Sequence, residues 1–111
     1  MKRPAILAIN PGSTSTKVAL FRGPEEVWSD TQRYDAGRIR EFPSIPAQEQ
    51  FRLDEIHRAL GERGTKTAEL DAVVGRGGLL RPIPGGTYEV GDEMLEDLRS
   101  CRYGSHASNL G

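Results

Sequence analysis

The segment Asn10-Pro11-Gly12-Ser13-Thr14-Ser15-Thr16-Lys17 gathers the groups that a phosphate requires. Gly12 lets the backbone approach closely, and successive turn N–H groups can form an anion nest. Ser13, Thr14, Ser15 and Thr16 supply hydroxyl donors at single-residue spacing, and Lys17 adds a point charge at the exit. A Walker-type loop would need Gly-x-x-x-x-Gly-Lys-Ser/Thr opening a helix. Here the spacing differs and Lys17 leads into β-type residues, so this is not a P-loop. A ligand-free β-turn fits the same residues, and local chemistry alone leaves both readings open. A second reactive grouping is Arg76, flanked by Gly75, Gly77 and Gly78. A guanidinium can grip a carboxylate or a transferring phosphoryl with two parallel bonds. The glycines are expected to give a substrate room near the backbone, with Arg81 a weaker second cation. His106 sits in a polar segment, whereas His57 falls on a helix surface. Cys101 has no base near it in sequence and reads as structural. No His/Cys grouping has zinc-site spacing.

These residues need a scaffold, and the patterning suggests one. Ala5–Ile9 is a continuous apolar run, expected to be a strand buried on both faces. Lys17–Phe21 has strand character, and Asn10–Thr16 between them carries turn chemistry, so an antiparallel hairpin is expected. Glu26–Tyr34 supplies a third strand after Gly23-Pro24, and Asp35–Pro46 reads as a loop. Gln48–Arg63 is the best helix, with Leu53, Ile56, Ala59 and Leu60 on one face and Gly61 and Gly64 as stop signals. Ala72–Val74 is a short buried strand leading directly to Arg76. Thr87–Val90 suggests a brief strand. Asp92 is placed to cap a helix over Glu93–Ser100 with Met94, Leu95 and Leu98 inward. Arg102–Gly111 is loop-like. The order predicts an α/β fold, a mixed β-sheet with flanking helices. No element closes the fold after Asn109, as expected for a piece of something longer.

Composition narrows the partners. The 111 residues are 36% hydrophobic and 28% charged, and carry a net charge of −1. That length suits one domain. With 15 basic against 16 acidic residues, no field of one sign points to nucleic acid or an anionic membrane. A single cysteine excludes an internal disulfide, and no apolar stretch approaches a membrane span. A soluble, cytoplasmic protein is the simplest expectation.

Three ordered motifs add a specific resemblance. Ile6–Phe21 resembles the first phosphate motif of the acetate and butyrate kinase family. The stretch Ala72–Tyr88 resembles the butyrate kinase form of the second signature, and His106–Gly111 resembles the family's histidine-containing segment. The similarity runs nearly the full chain, with little family signal in Phe42–Glu69. It departs from acetate kinases at Arg76, where those proteins hold a histidine and carry their arginine a few residues earlier.

The resemblance implies the RNase H-like, actin-like ATPase fold of sugar kinases, heat-shock chaperones and actin. Residues 1–111 would be its N-terminal domain, the C-terminal ATP-binding domain being absent. It implies transfer of the ATP γ-phosphoryl to a short-chain, butyrate-like carboxylate, with ATP and Mg²⁺ as cofactors and a homo-oligomeric full-length enzyme. Asn10 would organise the metal and phosphate region, and Gly12, Ser13, Ser15 and Lys17 would face the phosphates. Arg76 and His106 would be catalytic, and Gly77, Gly78 and Arg81 would bind substrate. The isolated chain is expected to be inactive. A non-catalytic binding domain of the same fold is the alternative. A two-metal nuclease ranks far lower, since the first strand offers no carboxylate before Asn10.

Overall fold

The computed structural model describes residues 3–111. Strands β1 (Ala5–Pro11), β2 (Ser15–Arg22) and β3 (Glu25–Arg33) form an antiparallel meander. Strand β4 (Ala72–Gly75) runs parallel to β1 on its other side, giving a mixed sheet of order β3-β2-β1-β4. Helix α1 (Ala36–Arg40) and helix α2 (Glu49–Glu62) lie between β3 and β4, and α3 (Asp92–Arg99) follows β4. The α/β class and the mixed sheet agree with the patterning.

Alternation along β2 divides the sheet into two faces. Thr16, Val18 and Leu20 point inward and are buried, while Lys17 is exposed on the other face. Leu7 and Val18 meet Ile56, Ala59 and Leu60 of α2 in the core, with Ile9, Trp28 and Leu70 packed around them. Removing side chains such as Leu7 and Leu60 from water stabilises the fold by roughly 2 kcal/mol each. Polar ties fix the elements on this packing. The Trp28 indole N–H donates to Thr65 Oγ1 at 3.4 Å, and the Gln32 amide donates to the Glu55 carbonyl. The Ala5 N–H donates to the Asp71 carboxylate at 2.7 Å, and the Asp71 N–H returns a bond to the Ala5 carbonyl at 2.8 Å. Those two bonds pin the entry of β4 beside β1.

Several expectations need correcting. The strands run further into the turn than Asn10–Thr16 allowed. Asn10 pairs with Lys17 and Pro11 with Thr16, which leaves Gly12, Ser13 and Thr14 as the loop. Segment Asp35–Pro46 is not all loop, because the Asp35 carboxylate caps α1 by accepting from the Gly37 N–H. Asp92 is the first residue of α3 and Gly91 its cap, with no side-chain bond. Thr87–Val90 forms no strand, since strand-prone residues without a neighbouring strand remain irregular. The tail holds a 3-10 turn at Ala107–Leu110.

Burial also differs from expectation. Leu53 is 43% exposed, and the inward position on that turn of α2 belongs to Arg52, only 3% exposed. β1 is well buried on one face only, and Val73 and Val74 of β4 are 57% and 46% exposed. Among the described residues, α2 covers one face of the sheet and leaves the opposite face of β1, β2 and β4 open.

Candidate active site on the open face of the sheet

The cross-strand pairing of Asn10 with Lys17 sets both residues on the open face at the loop end of the hairpin. β4 ends on the same side. Gly75 pairs with Ile9, and the Arg76 N–H continues the ladder with a 2.9 Å bond to the Ile9 carbonyl. Asn10, Lys17 and Arg76 therefore line one open groove of about 360 Å³. Ala8, Ala19, Phe21 and Val74 give it an apolar floor, and Glu26 stands at its β3 edge. A bulge opposite Leu20 and Phe21 sets Glu26 against Phe21 rather than Val27. Two cations and an amide above apolar side chains suit a small organic anion, with its charge at the strand ends and its apolar part along the sheet.

The loop above the groove is more ordered than a generic turn. The Gly12 N–H donates to the Ser15 carbonyl at 2.7 Å, so it is not free for an anion. The Thr14 carbonyl accepts from the Tyr34 N–H at 2.9 Å. Thr16 is 1% exposed and its hydroxyl oxygen accepts from Tyr34 and Arg52, which removes it from the donors expected of this segment. The N–H groups of Ser13 and Thr14 have no protein partner among the described residues, and both residues are exposed. Ser15, half-buried, shares the face of Lys17 by strand alternation.

The glycines around Arg76 play unequal parts. A methyl group on Gly75 would collide with Gly111, and one on Gly78 would lie 2.6 Å from the Asn109 Cα. Both glycines thus admit the close approach of the Asn109–Gly111 segment. Gly77 faces open space. Asn109 is buried, and it locks this contact. Its Oδ1 accepts from the Leu79 N–H at 2.9 Å, while its amide donates to the carbonyls of Gly104 at 3.0 Å and Leu98 at 3.3 Å. Asn109 was not among the residues expected to matter, and its only signal in the sequence was its place three residues after His106.

His106 precedes that turn and does not line the groove. Its Nδ1 accepts from the Ser108 N–H at 3.0 Å and lies 2.8 Å from the Ser108 hydroxyl. An amide can only donate, so the ring proton of the neutral imidazole sits on Nε2, leaving an outward donor. Arg81 does not join the groove either. It pairs with Asp97 at 2.6 Å and with Glu93 at 2.9 Å, and the Asp97 hydrogen bond holds its guanidinium pKa above the ordinary value. A substrate carboxylate would have to displace two protein carboxylates, so Arg81 is not a ready substrate ligand. The described residues contain no cluster of three or more His, Cys, Asp or Glu able to hold a metal. No helix among them is long and apolar enough to cross a membrane.

Fold and groove together define an α/β protein with an anion-compatible site at the strand ends of a mixed sheet. Comparison with known proteins is more specific. The chain is 55% identical over 106 residues to a probable butyrate kinase of Coprothermobacter proteolyticus and 48% identical to butyrate kinase 2 of Clostridium acetobutylicum. It is 45% identical to a probable butyrate kinase of Listeria monocytogenes. Each match covers 96% of this chain and 30% of the relative, so the chain spans about a third of the length of the curated relatives it matches. The resemblance to butyrate kinases read from the three motifs thus extends over nearly the whole chain. No protein-family model matches it.

Proposed function

We propose that the chain is the N-terminal domain of an ATP-dependent carboxylate kinase acting on a short-chain, butyrate-like acid. The observation that carries this reading is the meeting of Asn10, Lys17 and Arg76 in one groove, within a chain similar to butyrate kinases along 96% of its length. The strand order β3-β2-β1-β4 with only β4 parallel supports an RNase H-like, actin-like fold.

The donor set fits a phosphorylated ligand. Lys17 and Arg76 are exposed cations, the Ser13 and Thr14 N–H groups are free, and Asn10 stands between the two cations. ATP with Mg²⁺ would supply the phosphoryl group when bound. Asn10 is the residue of this chain that would face the metal, whose charge would offset that of the phosphates. Lys17 and the loop orient the phosphates. Arg76 fixes the acceptor carboxylate or neutralises the transferring charge, and His106, outside the groove, keeps its Nε2–H as a further donor. The acceptor is already an anion and a nucleophile, so this chain need supply no general base.

The test is a chimera in which this chain replaces the matching segment of the Clostridium acetobutylicum butyrate kinase 2. With ATP and Mg²⁺ it should form acyl phosphate from a panel of acetate, butyrate and isobutyrate. A folded chimera that binds nucleotide but phosphorylates none of them refutes the reading.

A further inference from the structure

Arg52 is the one buried arginine among the described residues. It sits on the buried face of α2, 3% exposed, beneath the hairpin loop and away from the groove. One Nη donates to the Gly12 carbonyl at 2.8 Å, the Ser15 carbonyl at 3.1 Å and Thr16 Oγ1 at 3.2 Å. The other donates to the Ser13 carbonyl at 3.1 Å, and Nε donates to Gln48 Oε1 at 3.0 Å. The Tyr34 ring stands 5.2 Å from the guanidinium carbon. Tyr34 also donates its own hydroxyl to Thr16 at 2.8 Å.

The consequence follows from peptide geometry. In a trans peptide the C=O and the following N–H point in opposite directions. Drawing the Gly12 carbonyl down onto Arg52 turns the Ser13 N–H up, and drawing the Ser13 carbonyl down turns the Thr14 N–H up. Those are the two loop amides that lack a protein partner. A lysine has no planar fork and cannot reach all these acceptors at once. A buried cation directly behind the loop also favours an anion in front of it.

We propose that Arg52 is a positioning residue for anion binding, holding the hairpin loop so that the Ser13 and Thr14 amides face a phosphate group. This rests on the reading of the hairpin as a phosphate site.

Titration of the isotopically labelled 111-residue chain with inorganic tripolyphosphate, followed through its amide resonances, tests both. In the wild type the Ser13 and Thr14 amides should shift most, and saturably. Arg52→Gln should weaken binding about tenfold or more, as expected for loss of charge-assisted organisation, and the two amides should no longer lead the response. Arg52→Lys should recover only part of the affinity. Ile56→Val, which thins the core beneath the same sheet, should lower the melting temperature and leave affinity unchanged. A merely structural Arg52 would give the reverse: lower stability with wild-type affinity and unchanged Ser13 and Thr14 shifts, overturning the proposal. If Arg52→Gln does not fold, the same comparison in Arg52→Lys decides, and wild-type affinity there overturns it. Absence of any hairpin response in the wild type overturns the phosphate reading itself, before a variant is made.

Discussion

Asn10, Lys17 and Arg76 are brought together by strand pairing alone, so each can be truncated with little effect on the core. In the chimera, Arg76→Ala should lower kcat/KM for acyl phosphate formation by about 100-fold, the scale of losing one oriented donor to developing charge. Arg81→Ala should change it only a few-fold while lowering the denaturation midpoint, because its partners are Asp97 and Glu93. Equal loss in both variants would return Arg81 to the site. Tyr34 offers a second check at this scale. Burial raises its phenol above the ordinary 10.0, while the hydrogen bond with Thr16 and the Arg52 charge pull it back. A folded-state pKa above the unfolded value means that its contribution to stability is complete below about pH 10 and is lost as pH rises through the folded value. Absorbance titration should show one of the three tyrosines ionising late, and stability should fall over the same range. A Tyr34 phenol ionising at the ordinary 10.0 would contradict the burial.

The elements meet at β4 and the C-terminal 3-10 turn, and the glycines there divide by what they face. Gly78→Ala would push a methyl group into Asn109, so about 1–3 kcal/mol of destabilisation is expected from overpacking, read by urea denaturation. Gly77→Ala should cost less than about 1 kcal/mol, since nothing lies within 4 Å of the added carbon. The same variants separate structure from binding in the chimera. A Gly77→Ala enzyme that folds normally yet binds its carboxylate weakly would support a substrate approach at Gly77. Unchanged binding would confine the glycines to chain packing.

On the scale of the whole molecule, the sheet is covered on one face and β4 is an edge strand with both valines exposed. Such an edge templates pairing with another chain. The isolated chain should therefore self-associate with rising concentration in light scattering, and Val73→Lys should reduce this. The groove is open, lies on a chain spanning 30% of its relatives' length, and excludes little water. Acyl phosphate formation by the chain alone, with butyrate, ATP and Mg²⁺, should stay at background. Saturable turnover would show that the described residues suffice.

The residue pattern by itself determined the class of fold, the hairpin and the amphipathic α2, because period-two and helical spacing are local properties of the chain. It also determined the motifs linking the chain to butyrate kinases, since those are read as consecutive residues. Tertiary structure decided what each group faces. It turned Arg52 rather than Leu53 inward, because the hairpin carbonyls above α2 need donors that a leucine lacks. It placed Gly75 and Gly78 against the Asn109–Gly111 segment and drew Arg81 onto Glu93 and Asp97. It also left Thr87–Val90 without a strand to pair with. Asn10, Lys17 and Arg76 were legible as candidates from their types. Their common groove was not, because it depends on β4 lying parallel to β1, and no spacing within the chain records that pairing.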